Sequence, residues 1–331
     1  MFGIRKKNGW VGIDAGASTL KLAQVRRQGS QLSLEHAVIV PRASAWHSDT
    51  EEFGCSFQEI ESAIAIAGEL GGARAAATLS MAVCDVVAGR AAQPLAIAVG
   101  GAQATKYCTD EWQADTKLGD EGWYTFSLQE AIADDLCRDL SRSGLSCRTI
   151  DAMTHTLARA VAIHDPDSRR RTVATLDWGH SGAMLCSVRD GAPVYVRRLK
   201  GCGLRALEEA VCDELEIDRI AACELMAKAA GDAEGPAAQL IADLAVPLVD
   251  RLADDLGRTL THLKSHRKSL MPEKIFLFGG GATIGAAQKL AKCVERPVMP
   301  WAPPGIEPAD GISLAMLGPA IALSALAWEE S

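Results

Sequence analysis

WVGIDAGASTLKLAQVRR, residues 10–27, is the stretch on which the fold turns. Its apolar residues alternate as in a half-buried strand, break at Gly16-Ala17-Ser18-Thr19, and resume as a second strand. Asp14 stands just before the break, and Ser18, Thr19 and Lys21 stand in or just after it. One reading is an ordinary hairpin. The other is a grip for phosphate, because glycine lets backbone N–H groups approach an anion while hydroxyls and an ammonium add donors.

A second copy of the pattern lies at 171–199, RTVATLDWGHSGAMLCSVRDGAPVYVRRL. VGIDAGAST and ATLDWGHSG share an apolar strand, Asp-x-Gly, small and hydroxyl residues, then a new strand. Such an internal repeat predicts two similar halves. Asp190-Gly191 predicts the turn of the next hairpin. A third glycine element, EKIFLFGGGATIGAAQKLAKCV at 273–294, reads as strand, glycine turn and helix, and a helix N-terminus after such a turn favours an anion. Asp14 and Asp177 at two hairpin tips would repel a polyphosphate unless Mg²⁺ lay between, held partly through water.

Composition narrows the function classes. A chain of 331 residues predicts about two domains at roughly 100–200 residues each. With 48% hydrophobic residues it can build a full core. The net charge of −8 argues against generic nucleic-acid binding, which needs a basic footprint. Ten cysteines without a CxxC carry no zinc or thioredoxin signature and read as small core hydrophobes in a reducing compartment. The basic MFGIRKKNGW lacks a signal-peptide core; its Arg5, Lys6 and Lys7 offer only a weak attraction to an anionic membrane surface. The apolar run ISLAMLGPAIALSALAW, 312–328, is interrupted by Gly318-Pro319 and reads as a buried helix. A cytoplasmic location is therefore expected. His262 and His266, among Lys264, Arg267 and Lys268, read as a solvated basic face rather than a metal site.

The other elements follow from periodicity. Strands are expected at 10–27 and 31–40, a loop at 41–54, and a helix from Ser56 to Leu70 capped by Ser56. AAATLSMAVCDVVAG (75–89) and QPLAIAVGG (93–101) read as strands, and 103–124 as a loop running into a short strand, WYTFSL. A helix over 127–143 carries a capping box, Ser127 with Glu130, and stops at Gly144. A strand at 145–153 and a helix at 154–164 follow, then helical regions at 203–230 and 236–268, and a short strand, RPVMPW.

The order Asp-x-Gly, Asp-x-Gly, Gly-Gly-Gly resembles the actin-like ATPase superfamily, which includes sugar kinases, heat-shock chaperones, FtsA and PilM. The opening MFGIRKKNGWVGIDAGASTLKLAQVRR is similar to the start of the PilM family of type IV pilus assembly proteins. EAIADDLCRDLSRSGLSCRTIDAMTHTLARAV is similar to that family's helix–strand–helix return, and IFLFGGGATIGAAQKLAKCVERPV to its adenosine motif. The resemblance implies an α/β, actin-like (ribonuclease H-like), two-lobed fold with an inserted IC-type subdomain. The first lobe would span 9–171, with the insertion at about 41–145; the second would span 172–331, with a helical insertion at about 200–270. The helix at 312–328 would return to pack on the first lobe.

The resemblance also implies ATP–Mg²⁺ in a cleft between the halves. Asp14 and Asp177 would face the metal and, with Asp151, form the catalytic set. Asp151 is equally readable as an N-cap. Gly16, Ser18, Thr19, Lys21, Gly179, His180 and Ser181 would hold phosphates, and Gly279, Gly280 and Gly281 would pass under the nucleoside. The family's ribose-binding Glu and Lys fall on Cys223 and Met226; a shifted register recovers Glu224 and Lys228, at the spacing of an ordinary helix salt bridge. The implied function is a scaffold of a pilus or secretion machine, at most a slow ATPase. It would grip the short cytoplasmic tail of a PilN-like inner-membrane protein, contact other machinery proteins and self-associate. The alternatives are a sugar-type small-molecule kinase and an FtsA-like filament protein.

Overall fold

The computed structural model describes residues 7–46, 57–89, 106–114, 122–166, 171–231, 235–308 and 311–329. The quoted stretch is a hairpin, β2 (Val11–Ala15) with β3 (Thr19–Gln28), in which Asp14 lies opposite Lys21. Every residue of β2 is buried. That is what a strand flanked on both edges and covered by helices requires. β5 (Arg74–Leu79) pairs parallel with β2, and β9 (Ser146–Ile150) parallel with β5. β4 (Gln31–Pro41) pairs with β3. β1 (Lys7–Asn8) also lies on β3, with Asn8 opposite Arg26. Since Gly12 lies opposite Ala23, one residue is extra across Gly9–Trp10, a bulge that bends the strand.

The chain divides into two compact units, residues 1–30, 35–156 and 319–331 in one, and 31–34 and 157–318 in the other. Beside its six-stranded sheet, the first unit holds α1 (Glu59–Ala67) and a three-stranded antiparallel sheet. The latter runs in the order β6 (Cys84–Ala88), β8 (Trp123–Gln129), β7 (Tyr107–Gln113). α2 (Glu130–Arg142) leads from it back to β9, burying Ile132, Leu136 and Leu140 on one face.

In the second unit the sheet order is β12 (Ala192–Leu199), β11 (Ala183–Arg189), β10 (Val173–Trp178), β13 (Ile275–Phe278), β14 (Val298–Pro300). An antiparallel hairpin is thus followed by two parallel strands in both sheets, β4-β3-β2-β5-β9 matching β12-β11-β10-β13-β14. The sequence repeat is a repeat of topology, and the fold is of the duplicated ribonuclease H-like kind. α4 (Arg205–Leu215), α5 (Arg219–Gly231) and the 31-residue α6 (Pro236–His266) pack together, and α7 (Ala287–Val294) lies against α6 and β14. The chain crosses between units within α3 (Met153–His164) and again within α8 (Leu314–Ala325).

Helix α8 explains two conspicuous residues. It passes so close to β2 that a Cβ on Gly12 would overlap the Ala320 carbonyl. Its Pro319 has no N–H to give the carbonyl four residues back, and that carbonyl, Ala315 O, accepts the Gly279 N–H instead (3.1 Å).

Several expectations are corrected. Ser127 lies in β8, paired with Asp85 and Thr109, so no capping box forms; α2 starts at Glu130 behind Gln129, which makes no side-chain cap bond. The ladder outcompeted a local cap. Residues 75–89 supply two strands of different sheets, β5 and β6, and 107–113 is a strand rather than loop, exposing Cys108, Thr109, Asp110 and Gln113. α1 is shorter than its period, and its expected cap, Ser56, lies outside the described residues, as does the expected strand 93–101. After β13 comes a 3₁₀ turn, Gly280–Thr283, with α7 starting only at Ala287, so the three glycines do not open an α-helix. Of the nine described cysteines, all free, only Cys84, Cys186 and Cys202 are buried.

Candidate functional site

In the first unit the polar residues gather at the C-terminal end of β2. Lys21, Asp14 and Thr78 are register partners on β3, β2 and β5, so their side chains stand side by side on one face. Asp14 is 3% and Lys21 7% exposed, and the Lys21 ammonium donates to Asp14 Oδ2 at 2.8 Å. The other oxygen, Asp14 Oδ1, and the Thr78 hydroxyl are buried with no hydrogen-bond partner among the described residues. Buried polar groups are rarely left so in native proteins, and here they are neighbours. Asp151 continues from β9; its N–H donates to Ala77 O (2.8 Å) and its Oδ2 accepts the Thr156 hydroxyl (3.1 Å), which ties it to the first turn of α3.

The turn Gly16–Thr19 is backed by a segment that the sequence did not single out. Gly16 O accepts Arg42 Nε (2.7 Å), Ala17 O accepts the Trp46 N–H (2.8 Å), and Ser18 O accepts the Arg42 N–H (2.9 Å). Arg42 is itself buried, paired with Glu59 at 3.1 Å and stacked 3.6 Å from the Trp46 ring centroid. Three successive carbonyls of the turn are therefore spent on residues 42–46. Ser18 and Thr19 are half-buried beside them.

In the second unit the hairpin tip 177–182, residues 201–204 and the 279–281 turn form one block. Leu204 N–H donates to Gly179 O and Arg205 N–H to His180 O, both at 3.1 Å. The Trp178 indole is fully buried and donates to Cys202 O (2.6 Å). Each of the three glycines faces protein: a Cβ would lie 2.9 Å from Asp177 Oδ1 at Gly279, 2.8 Å from Leu204 at Gly280, and within the Trp178 ring at Gly281. Gly279 also has φ +76, in the left-handed region. The bulk of Trp178 thus accounts for Gly281 by packing.

His180 is turned inward. It is 8% exposed, with Nε2 3.3 Å from Glu208 Oε2 on α4. The Cys223 thiol of α5 donates to the same carboxylate oxygen (3.2 Å), and Arg219 lies 4.0 Å from its partner oxygen. Burial pushes the Glu208 carboxyl up, but hydrogen bonds from His180 and Cys223 and the charges of His180 and Arg219 prevail and hold it below the usual range. Burial and the bond to Glu208 push the Cys223 thiol up to about 12, so it is a poor nucleophile. Glu224 and Lys228 are exposed on α5, whereas Ser181 is exposed at the hairpin tip and Asp177 half-buried. His262 and His266 stack at 4.7 Å on the exposed face of α6. Among the described residues no cluster of His, Cys, Asp or Glu has the geometry of a metal site, and no helix is long and apolar enough to cross a membrane.

Sequence reasoning missed Thr78, Arg42 and Glu208. Thr78 was legible as the one hydroxyl inside the run AAATL. Arg42 and Glu208 sit in charged, ordinary-looking segments, and nothing local marks them as buried.

No known family profile matches the chain, and no curated protein matches it. Solved structures do, and they define the class: the fold is that of the actin-like ATPases. The chain matches one from a structure described as the PilM–PilN type IV pilus biogenesis complex, at TM-score 0.70 and 18% identity over 96% of this chain and 98% of that one. It also matches the ethanolamine utilization protein EutJ from Carboxydothermus hydrogenoformans (TM-score 0.58, 12% identity, 97% and 90% covered). A third match is a ROK family glucokinase from Streptomyces griseus, solved with glucose and AMPPNP (TM-score 0.50, 16% identity, 97% and 99% covered). The expected fold class is borne out; these identities speak to fold alone.

Proposed function

We propose that the chain is an actin-like assembly scaffold of the PilM kind, serving a type IV pilus or related secretion machine. The observation that carries this reading is the end-to-end likeness to the chain of the PilM–PilN complex, with no large unmatched segment on either side. The likeness supports a PilN-like partner; on our reading the scaffold grips that inner-membrane protein by its short cytoplasmic tail, which would bring the scaffold to the inner membrane.

The residues of the first hairpin fit a nucleotide with its Mg²⁺. Asp14 Oδ1 and the Thr78 hydroxyl are buried and unspent within the described protein, and Lys21 supplies a cation beside them. With the turn's carbonyls engaged by residues 42–46, what it offers a ligand is N–H and hydroxyl donors, the chemistry that phosphate takes. Asp14 would hold the metal through water, and Gly16, Ser18, Thr19 and Lys21 the phosphates. Asp177, Gly179 and Ser181 would do the same from the second hairpin. Bound Mg²⁺ would supply charge neutralisation between the acids and the phosphates. His180 would contribute by anchoring the tip to Glu208 rather than by touching phosphate. The exposed Glu224 is left with a ribose contact at most, and Gly279–Gly281 would support the nucleoside only at their outer face. Asp151, bonded to Thr156, is not poised as a strong base, so turnover would be slow. Nucleotide would act by its differential affinity for two states of the scaffold.

Calorimetric titration of ATP–Mg²⁺ tests this, with Asp14→Asn and Asp14→Ala as controls. Binding by the native protein, weakened at least tenfold in both variants, is expected. Silence at millimolar nucleotide would refute the ATP half and leave the scaffold half to titration with a PilN-type tail peptide. Sugar-dependent release of ADP would instead establish the kinase alternative, which the glucokinase likeness keeps in view.

A further inference from the structure

At the opposite end of β2 from Asp14, within the first unit, a cavity of about 490 Å³ opens where the bulge parts β1 from the start of β5. Its walls are Lys7–Trp10 on one side and Gly71–Arg74 on the other, closed by Ala327 and Trp328. The size falls within the roughly 300–1,000 Å³ usual for small-ligand sites.

The gap is built into the structure. Gln24, 1% exposed, spans its base: Nε2 donates to Gly9 O (2.9 Å) and Oε1 accepts the Gly71 N–H (2.8 Å). The two walls are thereby fixed at one side-chain length instead of pairing directly. Asn8 accepts from Arg26 Nε (3.1 Å) and lies so close to Gly71 that any Cβ there would overlap it. Trp10 is anchored from behind by α8, its N–H donating to Ser324 O (3.1 Å).

The charge of the lining is one-sided. Lys7 and Arg74 are exposed, and among the described residues no carboxylate lines the cavity and neither cation has an ion-pair partner. This is a locally cationic spot on a chain of net charge −8. The half-buried Trp328 gives the lining an indole, with the Arg27 guanidinium 5.7 Å from its ring centroid, while Trp10 is 6% exposed and packs inward against Ala76 and Leu323. Two such cations call for an anion, and the Trp328 indole for a flat apolar body.

We propose that this cavity binds a small organic anion in which a phosphate or carboxylate is joined to a flat ring. The charged group would lie between Lys7 and Arg74, and the ring against the Trp328 indole. This site does not depend on the nucleotide reading above.

The test uses phenyl phosphate as probe on the full chain at low salt, read by calorimetry. Inorganic phosphate and benzylamine serve as partial probes carrying only the charge or a ring of opposite charge. Phenyl phosphate is expected to bind at least tenfold more tightly than either, and Arg74→Glu or Lys7→Glu to weaken it at least tenfold, while Arg74→Lys keeps most of the affinity. Unchanged thermal midpoints establish that the variants fold; both sites are exposed, so one reversal suffices if the other perturbs β5. Equal affinity in the native protein and a folded reversal variant would overturn the proposal. So would benzylamine binding as well as phenyl phosphate, or no heat at millimolar probe.

Discussion

Asp14 and Lys21 show how a single contact carries both the risk and the chemistry of the first hairpin. Both are buried, and their 2.8 Å bond is flanked by an unsatisfied carboxylate oxygen. Removing one partner of a buried pair leaves a charge without compensation, typically about 3–5 kcal/mol, whereas replacing both by neutral groups of similar shape is often near neutral. Lys21→Met is therefore expected to lower the urea midpoint sharply, and Asp14→Asn with Lys21→Met to recover most of the loss. Equal destabilisation by the single and double variants would show that the pair contributes packing rather than charge. The quoted sequence announced these two residues through their positions around GAST. It could not announce Thr78 as their neighbour, because that adjacency is made by a parallel strand whose Thr78 follows Asp14 by 64 residues. Nor could it show Glu208 reaching His180, since two buried polar side chains on separate elements leave no trace in local periodicity.

Elements were legible where one period dominated. α2 and α6 emerged from helical spacing because each buries one face, whereas β2, β3 and the strand before the glycine turn emerged as apolar runs bounded by glycine turns, β2 and the last being buried on both faces. Errors fell where two local rules competed. Ser127 is a good helix cap and a good strand residue, and the ladder with β6 and β7 decided it. The glycines at 279–281 read as room for a ligand, yet Trp178, Leu204 and Asp177 already stand against them. Helix α8 shows what the apolar run alone concealed. Its Ser324 is fully buried, its hydroxyl donating to Trp10 O (2.6 Å) and accepting the Val25 N–H (3.0 Å). Ser324→Ala would strand one backbone acceptor and one donor, each worth about 1–3 kcal/mol when buried unpaired. The expected outcome is a loss of about 2 kcal/mol or more by chemical denaturation, with faster amide exchange at Val25. A loss under half a kilocalorie would mean that water reaches both groups.

For the whole molecule, the order of elements in the chain and their order in space part company at the C-terminus. Residues 319–331 follow the second unit in sequence but belong to the first. Ala320, Ile321, Ala322 and Leu323 are all fully buried there, and Leu323 packs with Trp10 and Ala76. Burying Ile321 and Leu323 alone is worth about 3–6 kcal/mol, at roughly 1.5–3 kcal/mol per side chain. Domains of this size have only about 5–15 kcal/mol in total. Truncation before Pro319 is therefore expected to unfold the first sheet selectively. In hydrogen exchange, amides of β2, β3 and β5 would lose protection, while those of β10, β11 and β12, whose pairing lies wholly within residues 173–278 and so within the truncated chain, would keep it. Uniform loss of protection across both sheets would show that the two units fold only as one, and unchanged protection in β2 would show that α8 covers a sheet already stable without it. The first result, with the second sheet standing alone, would also mean that the Asp14 hairpin can be dismantled without touching the Asp177 hairpin, so that the contribution of each to nucleotide binding becomes separately measurable.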